Sequence, residues 1–553
     1  MLRLTRNALT GTRVSSLRGV RHASSTPPRL ARRTLALVSG GVALGLGTLW
    51  ASKIHADSAA VVTNPRAKND PDATRSPFGT LVRAYVVYSM CSIPVLVDSA
   101  PWILQTFSSI PGIKWITEAI VRVTFFDQFV GGDTATETLP LLQRLRSANT
   151  GTLFAYSVEV DEAEAMTAST VASSEHSPYK AIVDEMVHCI DVAANFEDAL
   201  DAKQTGRRTW VAVKLTALVP DASALIRLSS HILSTRPPSP VAFPGNPTPS
   251  DLDILYSPKP TSSPSPLTPT DLATLRDLHA SLNRICTHAA ARGVRIIVDA
   301  EYSWYQPAVD AYALALMRRF NALGSGTQQP LVYATFQAYL RRTPEHLVHA
   351  LRDARKHGFA LGVKLVRGAY HTHEMAAHPT AASEGKPMLS ISPDVLPPVW
   401  AEKAETDATY DACAALLLDA AAADAKSRRS QSIGILFGTH NWTSCRKILA
   451  GLEERGLAVR TSDGKKLSVP ERVGERVTFG QLYGMCDDLT QYLADRMESS
   501  TPMVIKYVPY GALSEVMPYL SRRAIENKSV LGGGTAQAER KRAWDLMWAR
   551  IFG

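Results

Sequence analysis

Eight short runs of β-branched and apolar residues recur along the chain, each followed by a longer helical stretch, and this rhythm restricts the fold more than any other feature. The runs cover residues 153–158, 210–215, 295–299, 331–336, 361–366, 434–438, 476–480 and 504–508. Strands joined through helices re-enter a sheet in the same direction and so pair in parallel. Eight such units predict an α/β fold closed into a (βα)8 barrel rather than an open doubly wound sheet. No GxGxxG follows the first run to favour the latter. The barrel is expected over residues 129–535, after an N-terminal helical arm at 57–128 and before a C-terminal helix at 536–553.

Two segments break the rhythm. Residues 236–269 are so rich in Pro and Ser that they bury too little apolar surface to offset ordering, which predicts a mobile surface insertion. Residues 376–398 read as a second loop or lid.

The formal charge of +9 resembles a nucleic-acid or membrane signal until it is located. Residues 1–56 hold eight Arg, one Lys and no acid; the remaining 51 basic residues balance the 51 acidic ones, so no basic field for nucleic acid is left. That Arg- and Ser-rich, acid-free opening has the composition of a mitochondrial presequence. Residues 34–52 follow as nineteen uncharged residues, near the length that crosses a bilayer; their four glycines weaken a helix and leave a cleaved sorting segment as the competing reading. Residues 84–97 are too short to span and contain Pro94, which predicts a buried or surface-lying helix. Six cysteines without CxxC or zinc-like spacing read as reduced thiols. His371 and His373 alternate in a segment read as extended; with no third ligand, no metal site is expected.

In a parallel barrel, polar residues at the carboxyl ends of the strands converge on one mouth, where catalytic groups of the fold sit. Lys214, Asp299, Glu301, Gln337, Lys364, Arg367, His440, Asn441, Gln481 and Tyr507 all fall at such ends. Any one alone is a solvated strand end; together they mark a site. The segment PYLSRRAIEN after the eighth run places Tyr519, Arg522, Arg523 and Glu526 at i, i+3, i+4 and i+7, one face of a helix. Paired guanidinium groups suit a carboxylate, and Glu526 is placed to orient one of them.

These motifs carry a resemblance. VKLTAL, VDAEYSWYQPAV, YATFQAYLRR, GVKLVRGAY, GTHN, FGQLYGMCD and KYVPYGALSEVMPYLSRRAIEN occur in an order similar to the motif series of the proline dehydrogenase (proline oxidase) family, over residues 129–531. The presequence resembles the monofunctional mitochondrial type of eukaryotes, since the chain ends at Gly553 with no aldehyde-dehydrogenase portion. The resemblance implies a distorted TIM-type barrel, noncovalent FAD, oxidation of L-proline to 1-pyrroline-5-carboxylate, and electron transfer to quinone at the mitochondrial inner membrane. It further implies that Arg522 and Arg523, with Lys214, hold the substrate carboxylate. Tyr507 and Tyr519 would shape the ring pocket, while Asp299 and Glu526 orient the arginines. Gln337, Lys364, Arg367, Gly368, Ala369, His440, Asn441 and Gln481 match flavin-contacting motifs. Lys364 stands where bacterial relatives carry arginine, and Gln481 sits one position late, which reverses strand facing.

The resemblance leaves rivals. A hydroxyproline dehydrogenase differs by one hydroxyl. A Schiff-base aldolase would use Lys214 or Lys364. A flavin-free, membrane-tethered binding protein would keep the pocket without the chemistry.

Overall fold

The computed structural model describes residues 77–552 apart from 94, 98, 100–105, 107–109, 111, 158–177, 201–205, 238, 258–265, 325–328, 379–388, 427–432 and 529–534. The presequence, the uncharged stretch at 34–52, about a quarter of the Pro/Ser-rich insertion and much of the 376–398 loop lie outside the described residues.

Eight parallel strands close on themselves: β1 Thr150–Tyr156, β2 Thr209–Val213, β3 Ile296–Val298, β4 Val332–Gln337, β5 Leu361–Val366, β6 Ile433–Gly438, β7 Val477–Leu482 and β8 Val504–Tyr510. Closure is made by β8 against β1, with Thr150 opposite Val504 and Tyr156 opposite Tyr510. Each predicted run lands on its strand with ends moved by a few residues. The third shortens to three residues, and the eighth extends through Pro509 to Tyr510.

Side chains in a strand alternate in direction, so each strand feeds two cores. Phe154, Val211, Val298, Phe336, Leu365, Phe437 and Phe479 point outward into the layer between barrel and helices. Leu153, Trp210, Ile297, Tyr333, Leu436 and Ile505 point inward and fill the barrel, so its interior is a packed core and not a channel. A small three-stranded sheet, Val459–Arg460, Leu467–Ser468 and Met497–Glu498, lies outside the barrel and was not foreseen.

The described part of the insertion does pack, against the expectation of mobility. Phe243, Leu252 and Leu255 are buried, and a bidentate pair of Arg236 with Asp251 (3.1 and 2.5 Å) sits almost wholly out of water. A few apolar anchors and one shielded ion pair hold the segment that its composition alone describes as loose.

Three further helices wrap the mouth. The arm helix Phe78–Cys91 and the terminal helix Thr535–Phe552 pack along each other through Leu81, Leu546 and Met547. Both bury their inner faces on the capping helix Leu513–Lys528, in a cluster that includes Val87, Tyr88, Val516, Tyr519, Leu520 and Ala543. No helix among the described residues is long and apolar enough to cross a membrane.

Candidate active site

Because Lys214, Asp299, Gln337 and Tyr507 share the inward parity of Trp210, Ile297, Tyr333 and Ile505, they rise from the barrel core into a cavity at the carboxyl end of the strands. The cavity holds about 660 Å³ and is lined by all fifteen residues to which the resemblance assigns a role; Glu301, also singled out at a strand end, is not among its lining. The capping helix forms one wall with Tyr519, Arg522, Arg523 and Glu526.

Arg523 is buried and donates to Glu526 at 2.6 Å, the pairing expected of that helix face. Its guanidinium stacks on Tyr519 at 4.9 Å, and that of Arg522 stacks on Tyr370 at 5.2 Å, so both planes are held by aromatic rings. The expectation that Asp299 orients the arginines is not met. Asp299 accepts from Lys364 Nζ at 2.5 Å and from the Tyr507 hydroxyl at 3.1 Å. The reason is geometric: Lys364, at the inward-facing middle of β5, reaches across the mouth to the end of β3. Glu301, the other acid of that segment, is also drawn elsewhere. It accepts from the Thr216 backbone at 3.1 Å and from the Thr216 hydroxyl, bracing the turn after Lys214; burial pushes its carboxyl above the ordinary value.

On the opposite side, Gln337 is buried and donates to the Glu301 carbonyl at 3.3 Å and to the Tyr339 hydroxyl at 3.2 Å. Gly368 has φ +126°, and a Cβ there would lie 2.6 Å from the Tyr339 ring, so only glycine lets the chain turn at this rim. Arg367 is spent as a brace: Nε meets Asp407 at 2.6 Å, and its terminal nitrogens meet Thr439 at 2.7 Å and Ser444 at 2.8 Å. Asn441 caps the helix Trp442–Glu454 by accepting from Ser444 N–H at 3.0 Å.

His440 Nε2 accepts from the backbone N–H of Leu482 at 2.9 Å. This bond leaves Nδ1 as the protonated nitrogen of the neutral ring. Burial, aided by the positive charges of Lys506 and Arg523, brings the imidazole pKa down to about 3, so the ring stays neutral at physiological pH. Gln481 shares the outward parity of Phe479 and binds Thr490 and the Thr439 carbonyl (3.5 Å), consistent with the reversed facing that its late position implied. His371 and His373 lie not in an extended segment but in the helix His371–Ala377. There His371 meets the Trp400 carbonyl at 2.8 Å and His373 packs edge-on to Tyr302 at 6.0 Å. Two positions apart on a helix, they diverge.

Sequence reasoning missed a hub behind the cavity. Lys506, 2% exposed, donates to the Met485 carbonyl at 2.7 Å and pairs with Asp487 at 2.8 Å. Tyr88 of the arm and Gln128 both donate to the Gly484 carbonyl, at 2.5 and 3.0 Å. Arg542 of the terminal helix reaches Asp487 at 3.5 Å and Asp488 at 3.2 Å, and the adjacent Ala538 and Glu539 line the cavity. One signal was present: a lysine at an outward-facing strand position, where only a buried charge partner makes it tolerable.

Two buried polar atoms lining this cavity, Arg523 Nε and Gln337 Oε1, have no hydrogen-bond partner among the described residues. Such groups are paired in folded proteins, so a ligand with both donors and acceptors fits the space. A closed parallel barrel whose mouth brings Arg522, Arg523, Lys214, Lys364 and Asp299 into one cavity defines the class: a barrel enzyme with a mouth suited to a small carboxylate-bearing substrate.

Residues 141–533 match the sequence profile of the proline dehydrogenase family. The chain is 30% identical over 478 residues to a hydroxyproline dehydrogenase of Rattus norvegicus, covering 86% of this chain and 91% of the relative. It is 29% identical over 469 residues to a mitochondrial proline dehydrogenase 1 of Arabidopsis thaliana, covering 83% of this chain and 81% of the relative. Among solved structures, a proline utilization A protein of Bdellovibrio bacteriovorus shares the fold with TM-score 0.51 at 18% identity. That match spans 89% of this chain but only 41% of the longer neighbour. The chain belongs to the proline dehydrogenase family. It is thus an oxidoreductase of proline oxidation, in a family of flavoenzymes.

Proposed function

We propose that the cavity holds FAD noncovalently against the strand ends and oxidises L-proline to 1-pyrroline-5-carboxylate, passing the electrons to quinone at the mitochondrial inner membrane. The observation that carries this reading is the common cavity in which Arg522 and Arg523 of the capping helix face the strand-end groups Lys214, Asp299 and Lys364. Bound there, FAD supplies the acceptor for the hydride that leaves the ring carbon beside nitrogen.

The protein's own groups do the rest. Arg522 and Arg523 hold the carboxylate, with Lys214 assisting, and their stacking on Tyr370 and Tyr519 fixes the planes in which they do so. Tyr507 and Tyr519 wall the ring. Asp299 holds both Lys364 and Tyr507, which ties a cofactor-facing cation to a substrate-facing ring through one carboxylate. Gln337, Lys364, Gly368, Ala369, His440 and Asn441 line the cofactor side, His440 as a neutral Nδ1–H donor. Arg367 and Gln481 act from behind as braces. Proline enters as a zwitterion, and its amine must lose a proton before hydride departs; no side chain is assigned that task. Alignment of the reacting carbon contributes most of the rate.

A presequence-like opening and relatives named as mitochondrial support the location. The hydroxyproline dehydrogenases among the relatives keep hydroxyproline as the competing substrate. Dye-coupled turnover of L-proline, D-proline and hydroxyproline by the purified yellow protein separates them. L-proline is expected to be turned over fastest. Protein that carries no flavin absorption band, or that prefers hydroxyproline, overturns the proposal.

A further inference from the structure

The outer faces of the arm and terminal helices are apolar. Phe78, Val82 and Val86 stand at i, i+4 and i+8 on one, and Trp544, Trp548 and Phe552 at the same spacing on the other, 39–70% exposed. The stripes adjoin, since the Tyr85 and Trp544 rings lie 5.4 Å apart, while Trp544 meets Trp548 edge to face at 5.6 Å and Trp548 stacks on Phe552 at 4.2 Å. The helix Ile113–Val121 buries none of its residues and exposes Trp115 by 74%. It runs on into the segment whose Phe126 and Phe129 pack on the arm helix. Fifteen of the twenty exposed large apolar residues described lie within 78–123 and 544–552, a concentration that chance exposure does not produce.

From this geometry we infer that the arm and terminal helices, with Ile113–Val121, form a docking surface for the face of a lipid bilayer. Three features choose lipid over a second copy of the chain. All three exposed tryptophans described lie on this surface, and tryptophan favours the headgroup boundary. Basic residues flank the apolar stripes, with Lys114, Arg122, Arg540, Lys541 and Arg550 against Glu118 and Asp545, the mixture of an interfacial helix. In the sequence, the nineteen uncharged residues 34–52 also precede the arm helix Phe78–Cys91.

The surface backs onto the catalytic cavity. The terminal helix that shows Trp544 and Trp548 outward places Ala538 and Glu539 in the cavity wall, and the arm helix buries its other face on the capping helix. Docking there brings the mouth next to the lipid phase in which a quinone dissolves. The inference rests on the inner-membrane location proposed above, but it uses residues outside the cavity, so its failure and that of the substrate reading are told apart.

The test is hydrogen exchange on the purified full-length holoenzyme, with and without vesicles of phosphatidylcholine containing a minority of cardiolipin. Exchange should slow in peptides covering 78–91, 113–123 and 544–552 on addition of vesicles. Trp544→Ser with Trp548→Ser should weaken vesicle binding roughly tenfold or more. Trp548→Phe should largely retain it, and dye-coupled proline turnover should be unchanged in all variants. Exchange unaffected by vesicles would overturn the inference. So would protection of the same peptides that rises with protein concentration in the absence of lipid, which is the mark of a second copy.

Discussion

At the scale of single residues, the cavity depends on charges that hold one another in place. Arg523 is 3% exposed and paired with Glu526, so its guanidinium is already oriented when a carboxylate arrives. Arg523→Met removes a charge-assisted hydrogen bond, and KM for proline should rise roughly 10- to 150-fold, with a smaller change in kcat. Steady-state kinetics on flavin-loaded protein check this, and an unchanged KM refutes the role. Asp299→Ala frees both Lys364 and Tyr507, so flavin content per chain and kcat should fall together; absorption and turnover of one preparation measure both. His440 carries a pH signature. Its folded pKa of about 3 lies below the ordinary 6.5, so the unfolded chain binds the extra proton first as pH falls. Its contribution to stability is full above roughly pH 6.5 and is lost progressively down to about pH 3. Denaturant midpoints of His440→Asn should therefore change less across that window than those of the parent.

At the scale of elements, the loop after β7 joins the arm, β8 and the terminal helix. Gly484 has φ +75°, and a Cβ there would lie 1.9 Å from the Gln128 carbonyl oxygen, so the loop has room for no other residue. Gly484→Ala should cost more than about 2 kcal/mol, read as a lowered Tm. Tyr88→Phe removes one buried hydrogen bond to the same loop and should cost about 1 kcal/mol by denaturant titration. Between these elements the capping helix is held from outside as well as from the barrel, which keeps Arg522 and Arg523 over the mouth.

For the molecule as a whole, the barrel supplies a rigid ring of strand ends and the added helices supply the cover. Removing residues 535–553 exposes the inner face of the arm helix, including Leu81 and Ala84, and takes Arg542 from Asp487 and Asp488. That truncation should release flavin and make the arm helix sensitive to limited proteolysis, while the far-UV circular dichroism of the barrel is largely kept.

Periodicity alone determined the eight strands, their parallel sense and the mouth at which Lys214, Asp299, Gln337, Lys364 and Tyr507 meet, because strand parity and strand direction are local properties that closure then brings together. The one-face placement of Tyr519, Arg522, Arg523 and Glu526 was equally legible from helical spacing. Pairing across the mouth was not. Whether Asp299 meets an arginine or Lys364 depends on which strands face each other through the barrel, and no local pattern encodes that distance. The order within residues 239–257, the buried Lys506 hub and the shared wall of the terminal helix belong to the same class. Each rests on contacts between elements separated along the chain or on a single shielded ion pair, and only the tertiary structure decides where such partners fall.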